Sequence, residues 1–229
     1  MGRAKVLLAE DDQDLAFVIK DSLQEEGFEV VHAPDGEAAW NQFQKTGFDI
    51  CLLDVNMPAR DGFSVAKKIR QQSDMVPILF ITAKSLEQDR IKGFQVGADD
   101  YIIKPFSIQE LIMRMDVFLR RTKKLQADSP EEFQIGKLKF MYNELKIIIN
   151  GEVVTLTQRE ADLMKFFAEH ANKILKRDEV LLNVWGKDDY FLGRSMDVFI
   201  TKLRKHFKAD PSIVLETIHG VGFRLNLNQ

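Results

Sequence analysis

Four places far apart in the chain carry residue types that handle phosphoryl groups: the acids Glu10, Asp11 and Asp12, then Asp54, Thr82 and Lys104. Clustered carboxylates repel one another and are tolerated only where a positive charge joins them. Hard oxygen ligands without His or Cys favour Mg2+, which keeps several waters and shares its remaining ligands with phosphate oxygens. The hydroxyl of Thr82 and the ammonium of Lys104 complete the parts needed to bind a transferring phosphoryl group and offset its equatorial charge. Asp54 stands directly behind "ICLL" with no base beside it, and so suits a carboxylate nucleophile that gives an acyl phosphate. Each residue alone has a plainer role: Asp54 as a turn cap, Thr82 as a strand-end cap, Lys104 as a solvated lysine, and Asp12 as an ordinary turn residue.

Elements that would gather these residues are legible in the first half. The runs "KVLLA", "FEVVHA", "DICLLD", "PILFITA" and "DDYIIKP" read as strands, and each is followed by a helical pattern. Strands alternating with helices imply a parallel sheet covered on both faces, with its site at the carboxyl ends of the strands. Glu10, Asp54, Thr82 and Lys104 all lie at such ends. Pro58 and Gly62 turn the chain away after Asp54.

The chain has 229 residues, 45% hydrophobic and 29% charged, which implies two domains. No apolar run is long enough to cross a bilayer, and the start "MGRAKVLLAE" has no signal-peptide pattern, so a cytoplasmic protein without a membrane partner is expected. Cys51 is the only cysteine, which excludes an intramolecular disulfide and a cysteine-based zinc site; its apolar run makes it a core residue. The net charge of -3 is split: residues 1–121 hold 15 Lys+Arg against 20 Asp+Glu, and residues 122–229 hold 17 against 15. From Phe191 to Gln229 six basic residues face three acids, a hint of a polyanion-binding end.

The second half changes character. "RTKKLQADSPEEF" reads as a linker, and strand-like runs with an Asn150-Gly151 hairpin signal follow it. Thr157 and Glu160 have capping-box spacing at the head of a helix. A shorter helix at "RDEVLLNVWG", a longer one at "GRSMDVFITKLRKHFKA" and a hairpin turning at Gly220-Val221-Gly222 complete it. On a helix from Arg194 to Lys208, Met196, Ile200, Leu203 and Phe207 form one apolar stripe, with Arg194, Val198, Thr201, Lys202 and Lys205 on the other side. Such a helix fits a major groove, and equally an ordinary surface helix.

Through "LLAEDD", "LLDVNMPARDGF", "ITA" and "DDYIIKPF", in that order, residues 3–121 resemble a bacterial response-regulator receiver domain. The resemblance implies Asp54 as phosphoacceptor, Glu10 and Asp11 as the acidic pair holding Mg2+ beside Asp54, and the Asn56 main-chain carbonyl as the remaining protein ligand. It also implies phosphoryl contacts from Thr82 and Lys104, and Tyr101 as an aromatic switch that turns inward when Thr82 moves. "LTQREADLMKFFAEH", "RDEVLLNVWG", "RSMDVFITKLRKHF" and "LETIHGVGFRL" resemble the winged-helix output domain of the OmpR/PhoB family. That likeness implies phosphate contacts from Arg194, Arg204 and Lys205, base-edge contacts from Val198 and Lys202, a groove-facing Thr201, and wing contacts from Thr217 and His219. Phe199 and Thr201 depart from the polar or basic side chains frequent at those positions, which implies altered base preference. His219 stands where an arginine is frequent and implies a weaker minor-groove contact at neutral pH.

The expected architecture is α/β: a five-stranded parallel doubly wound receiver (1–121), a linker (122–131) and an α+β winged-helix domain (132–229). The expected function is a phosphorylation-activated, DNA-binding transcription regulator of a two-component system, and not an enzyme. Its expected partners are a sensor histidine kinase, double-stranded DNA and a second copy on phosphorylation, with RNA polymerase left open. Arg90 with Glu110, and Asp100 with Arg114, are the cross-subunit pairs that the resemblance suggests. One rival is a Mg2+-dependent phosphohydrolase, which usually carries an acid two residues after its nucleophile, where this chain has Asn56. The other is a phosphorylation-independent DNA-binding protein whose receiver serves only to dimerise.

Overall fold

All five apolar runs of the first half become parallel strands: β1 (Lys5–Ala9), β2 (Glu29–Ala33), β3 (Ile50–Leu53), β4 (Ile78–Thr82) and β5 (Asp100–Ile103). The structure is a computed structural model that describes residues 3–83, 87–124, 131–185 and 190–227. Its chain divides into two units, Met1–Lys123 and Lys124–Gln229. In the first, the strand order is β2-β1-β3-β4-β5, so β1 and β3 lie side by side at the centre where the winding reverses. Every residue of β3 and β4 is buried, because helices cover both faces of the sheet. Val6, Leu8, Leu52, Leu79 and Ile81 pack with Ile19, Leu23, Leu111, Met115 and Phe118 from the helices on one face. Cys51 is fully buried, as expected of a core residue, and burial pushes its thiol up to about 12.

Helices start where the sequence supplies an oxygen to cap them. Asp12 accepts from Asp14 and Leu15 N–H ahead of α1 (Gln13–Glu25), which gives the ordinary turn acid a definite task. Asp35 caps α2 (Gly36–Lys45) and Asp61 caps α3 (Gly62–Gln72) in the same way. Two glycines let the chain close tightly around β3. A Cβ on Gly62 would stand 2.1 Å from the Asp54 carbonyl oxygen, and one on Gly36 2.0 Å from that of Arg60. Beyond these lie α4 (Glu87–Gln95) and α5 (Ile108–Lys124). Helix α5 runs three residues into the span expected as linker; residues 125–130 of that span lie outside the described residues.

The second unit opens with an antiparallel sheet of β6 (Glu132–Ile135), β7 (Leu138–Met141), β8 (Lys146–Ile149) and β9 (Glu152–Thr155). Asn150 and Gly151, at φ 52° and 83°, form the two-residue turn that joins β8 to β9. The capping box forms at α6 (Gln158–Glu169), with the Glu160 carboxylate accepting from Thr157 N–H at 2.9 Å. After β10 (Leu175–Lys176) come α7 (Arg177–Trp185) and α8 (Tyr190–Phe207), then the hairpin of β11 (Ile213–Ile218) and β12 (Gly222–Leu227). Strand β12 lies between β10 and β11. Helix α8 begins four residues before the expected Arg194, and Met196, Ile200, Leu203 and Phe207 are all buried as the stripe requires.

Candidate functional site

The ends of β1, β3 and β5 bring Glu10, Asp54 and Lys104 into direct contact. Lys104 Nζ donates to both Glu10 oxygens, at 2.8 and 2.7 Å, and to Asp54 Oδ2 at 2.6 Å. Glu10 is 1% exposed and Asp54 6%, so the ammonium is a counter-ion for two carboxylates that water barely reaches. Asp54 Oδ1 accepts the Asn56 N–H at 3.0 Å, and the Asp54 N–H donates to the Ala9 carbonyl at 2.8 Å, which anchors the loop to β1. Burial pushes the Glu10 carboxyl above its ordinary range; Lys104 opposes this and Asp54 adds to it. Burial works to lower the Lys104 pKa, but its bonds to Asp54 and Glu10 and their charges outweigh it and leave the ammonium held above the usual lysine value.

Glu10, Asp11 and Asp54 each offer a carboxylate oxygen, and these oxygens lie within 4.8 Å of one another. Three hard oxygen donors without a nitrogen or sulfur ligand form a cluster consistent with a Mg2+ site. Thr82 is buried at the end of β4, opposite Ile103, and its carbonyl accepts the Lys104 N–H at 2.9 Å. Tyr101 is buried, with its ring 5.9 Å from that of Phe80, so this aromatic side chain stands inward. The peptide from Lys104 to Pro105 is cis. One neighbour was missed in the sequence: His32 Nε2 lies 2.8 Å from the main-chain oxygen of Glu10. Its only sequence signal is a histidine one residue before the end of a strand that a proline terminates.

The expected dimer face has its charges paired within the chain. Arg114 reaches Asp100 Oδ2 at 2.9 Å and Glu110 Oε1 at 2.8 Å, so the pair expected across subunits already exists inside one. Arg90 lies on α4, with its side chain outside the described residues.

On the basic end, the structure separates residues that the helical stripe had grouped. Thr201 and Lys205 are exposed, Val198 is half-buried, and Thr217 and His219 are exposed on and beside β11. Lys202 Nζ instead pairs with Glu160, the capping-box acid of α6, at 3.2 Å. Arg204 Nε donates to the Leu215 carbonyl and its Nη2 to Thr217 Oγ1, both at 2.8 Å, so it ties α8 to β11. Phe199 corrects an expectation: it is fully buried with its ring 5.7 Å from Trp185, and it belongs to the core rather than to a groove-facing position. Arg194 lies on α8, and its side chain is outside the described residues.

Known proteins share both halves. Residues 6–116 match the family described as response regulator receiver domain, and residues 151–225 the one described as transcriptional regulatory protein, C terminal. The chain is 43% identical over 223 residues to the transcriptional regulatory protein RprY of Bacteroides fragilis, covering 97% of this chain and 94% of the relative. It is 38% identical over 224 residues to the transcriptional regulatory protein PrrA of Mycobacterium leprae, covering 97% and 96%. The solved structure of the response regulator DrrB, an OmpR/PhoB homolog from Thermotoga maritima, is 26% identical with a TM-score of 0.51, over 97% of this chain and 98% of that one.

Proposed function

Because this chain belongs to the OmpR/PhoB-family response regulators, DNA-binding transcription regulators that join a receiver to a winged-helix domain, we propose that Asp54 is the phosphoacceptor that controls it. The family pairs such a receiver with a histidine kinase and such an output domain with DNA. It is a family of transcription regulators rather than of catalysts. The observation that carries the proposal is the Lys104 ammonium held between Glu10 and Asp54 at 2.6 to 2.8 Å.

In this reading an Asp54 oxygen attacks the phosphorus of a phosphohistidine on the kinase, a P–O bond forms and the P–N bond breaks. Lys104 then exchanges its Asp54 contact for a phosphoryl oxygen, and the Thr82 hydroxyl binds another. Glu10, Asp11, Asp54 and the Asn56 carbonyl would hold Mg2+, whose chemistry is to neutralise charge on the transferring group. Tyr101 is expected to turn inward when Thr82 moves; because its ring already stands inward, Thr82 engaging the phosphoryl group would hold it there and so fix the surface of α4, β5 and α5.

A homodimer through that surface is the proposed output, in the cytoplasm, with RNA polymerase as a further partner. For Asp100 and Arg114 to pair across subunits, Arg114 must exchange its own Asp100 for the partner's and release Glu110, which then pairs across subunits with Arg90. Asp100 and Arg114 are largely buried in their intrachain pair, so the exchange replaces one ion pair by an equivalent one and sets register more than affinity. Dimerised output domains would bind tandem half-sites about one helical turn apart. Thr201, Lys205, Val198 and Arg194 of α8 face the groove in this reading. Arg204 and Thr217 approach a phosphate together, Lys202 reads a base edge once it leaves Glu160, and His219 lies at the wing tip.

Incubation with Mg2+ and acetyl phosphate tests the core of this reading. A single added phosphate that Asp54→Asn abolishes is expected; unchanged labelling of the variant overturns it.

A further inference from the structure

Strand β2 grips the main chain of Glu10 from both sides. The Glu10 N–H donates to the Ala33 carbonyl at 3.1 Å, one step beyond the last β1–β2 pair, Ala9 with Ala33. On the other side the ladder stops, because β2 ends at Ala33 and the next residue, Pro34, has no N–H to donate. The half-buried His32 ring takes that place, with Nε2 2.8 Å from the Glu10 carbonyl oxygen. A carbonyl only accepts, so Nε2 must carry the hydrogen in this bond.

We propose that His32 is a positioning residue for the acid cluster: by fixing the peptide between Glu10 and Asp11, it sets where those two carboxylates stand relative to Asp54. The proposal rests on the reading of Glu10, Asp11 and Asp54 as a Mg2+ site. Only three residues, Glu10 to Asp12, separate the end of β1 from the start of α1. A tilt of the Glu10–Asp11 peptide therefore moves the exposed Asp11 directly. Lys104 offsets the charges of Glu10 and Asp54, and the main-chain bonds of Glu10 fix the direction in which Asp11 leaves the strand. Mg2+ demands near-ideal octahedral geometry and penalises small misplacements of its ligands.

The test is calorimetric titration of Mg2+ into the full-length protein, its His32→Leu variant and its His32→Gln variant. Leucine removes the donor, whereas the glutamine amide restores an N–H at similar reach. Weakening of Mg2+ binding by about tenfold in His32→Leu is expected, as for loss of a group that orients a metal ligand, with recovery in His32→Gln. Equal affinity in all three proteins, or equal weakening in both variants, overturns the proposal. Thermal unfolding without Mg2+ accompanies the titration, because a purely structural role would shift both variants' melting temperatures without separating their affinities. Nitrogen-15 NMR of the wild-type imidazoles needs no variant: an Nε2–H signal for His32 is expected, and an Nδ1–H tautomer overturns the proposal. Failure of the wild type to bind Mg2+ would remove the metal reading itself, whereas tight wild-type binding that His32→Leu leaves unchanged removes only the role of His32.

Discussion

Replacing Lys104 by methionine keeps most of the stem and deletes the ammonium that sits 2.6 Å from Asp54 and 2.7 Å from Glu10. Removing one partner of a buried ion pair costs about 3–5 kcal/mol. The Lys104 side chain is 19% exposed, so water screens part of the loss and the lower figure, about 3 kcal/mol, is expected. For a unit of this size that corresponds to a fall of about 10 °C in the receiver's calorimetric transition. The loss depends on pH. The Glu10 carboxyl is already raised in the folded state, and without Lys104 it rises further, so the folded chain holds a proton that the unfolded chain releases. Stability from a raised group is fully present below its unfolded pKa and is lost as pH rises through its folded pKa. The gap between wild type and variant should therefore close on acidification and widen above the ordinary glutamate range. Mg2+ at 100 times its Kd adds about 2.7 kcal/mol, and its shift should be larger in the variant, where no ammonium competes for the carboxylates. Scanning calorimetry of both full-length proteins over a pH series, with and without Mg2+, measures all three effects. A receiver transition within about 3 °C of wild type, equivalent to roughly 1 kcal/mol, would refute the role of Lys104 as counter-ion. A Mg2+ shift no larger than that of wild type would do the same.

Gly62→Ala puts a methyl group 2.1 Å from the Asp54 carbonyl oxygen; it should cost at least the ~1–3 kcal/mol of an overpacked core and abolish labelling of Asp54 by acetyl phosphate. Phe199→Ala should lower the output-domain transition by about 3–5 kcal/mol and leave the receiver transition in place, whereas a groove-facing phenylalanine would change DNA affinity at unaltered stability. Arg204→Lys and Thr217→Val, measured singly and together for binding to DNA selected from a random pool, should show a coupling of about 0.5–3 kcal/mol, and strict additivity would mean that the two act apart. Asp210 accepts from Lys137 and Ser212 N–H, which hold its carboxyl below the ordinary range; its contribution is present above the unfolded pKa and lost as pH falls through the folded one. Asp210→Asn should therefore lower the output-domain melting temperature at neutral pH, and the difference should shrink in acid.

Strand ends were the legible part of the site. Apolar runs closing on Glu10, Asp54, Thr82 and Lys104 leave little freedom once the sheet is parallel, because all four ends emerge at one edge. The helix cap Thr157 and the hairpin turn Asn150-Gly151 were legible as well, since both act through local geometry. Long side chains were not, because their type does not say where their ends go. Arg204 and Lys202 are expected at DNA phosphate and base edge, yet β11 offers one a carbonyl and a hydroxyl, and α6 offers the other a carboxylate. Phe199 was misread for a different reason. It lies three residues after Met196 and four before Leu203, the spacing of the buried stripe itself, and family likeness outweighed that periodicity. His32 escaped because its task arises only where β2 runs out of main-chain donors.

The bond between Lys104 and Glu10 spans 94 residues of chain, and that to Asp54 spans 50. Translation at about 5–20 residues per second takes roughly 3–10 s to cover the 50 residues from one to the other. Through that interval both acids have left the peptidyl-transferase centre and their ammonium has not yet been made. A nascent receiver thus carries its like charges before the lysine that holds them together.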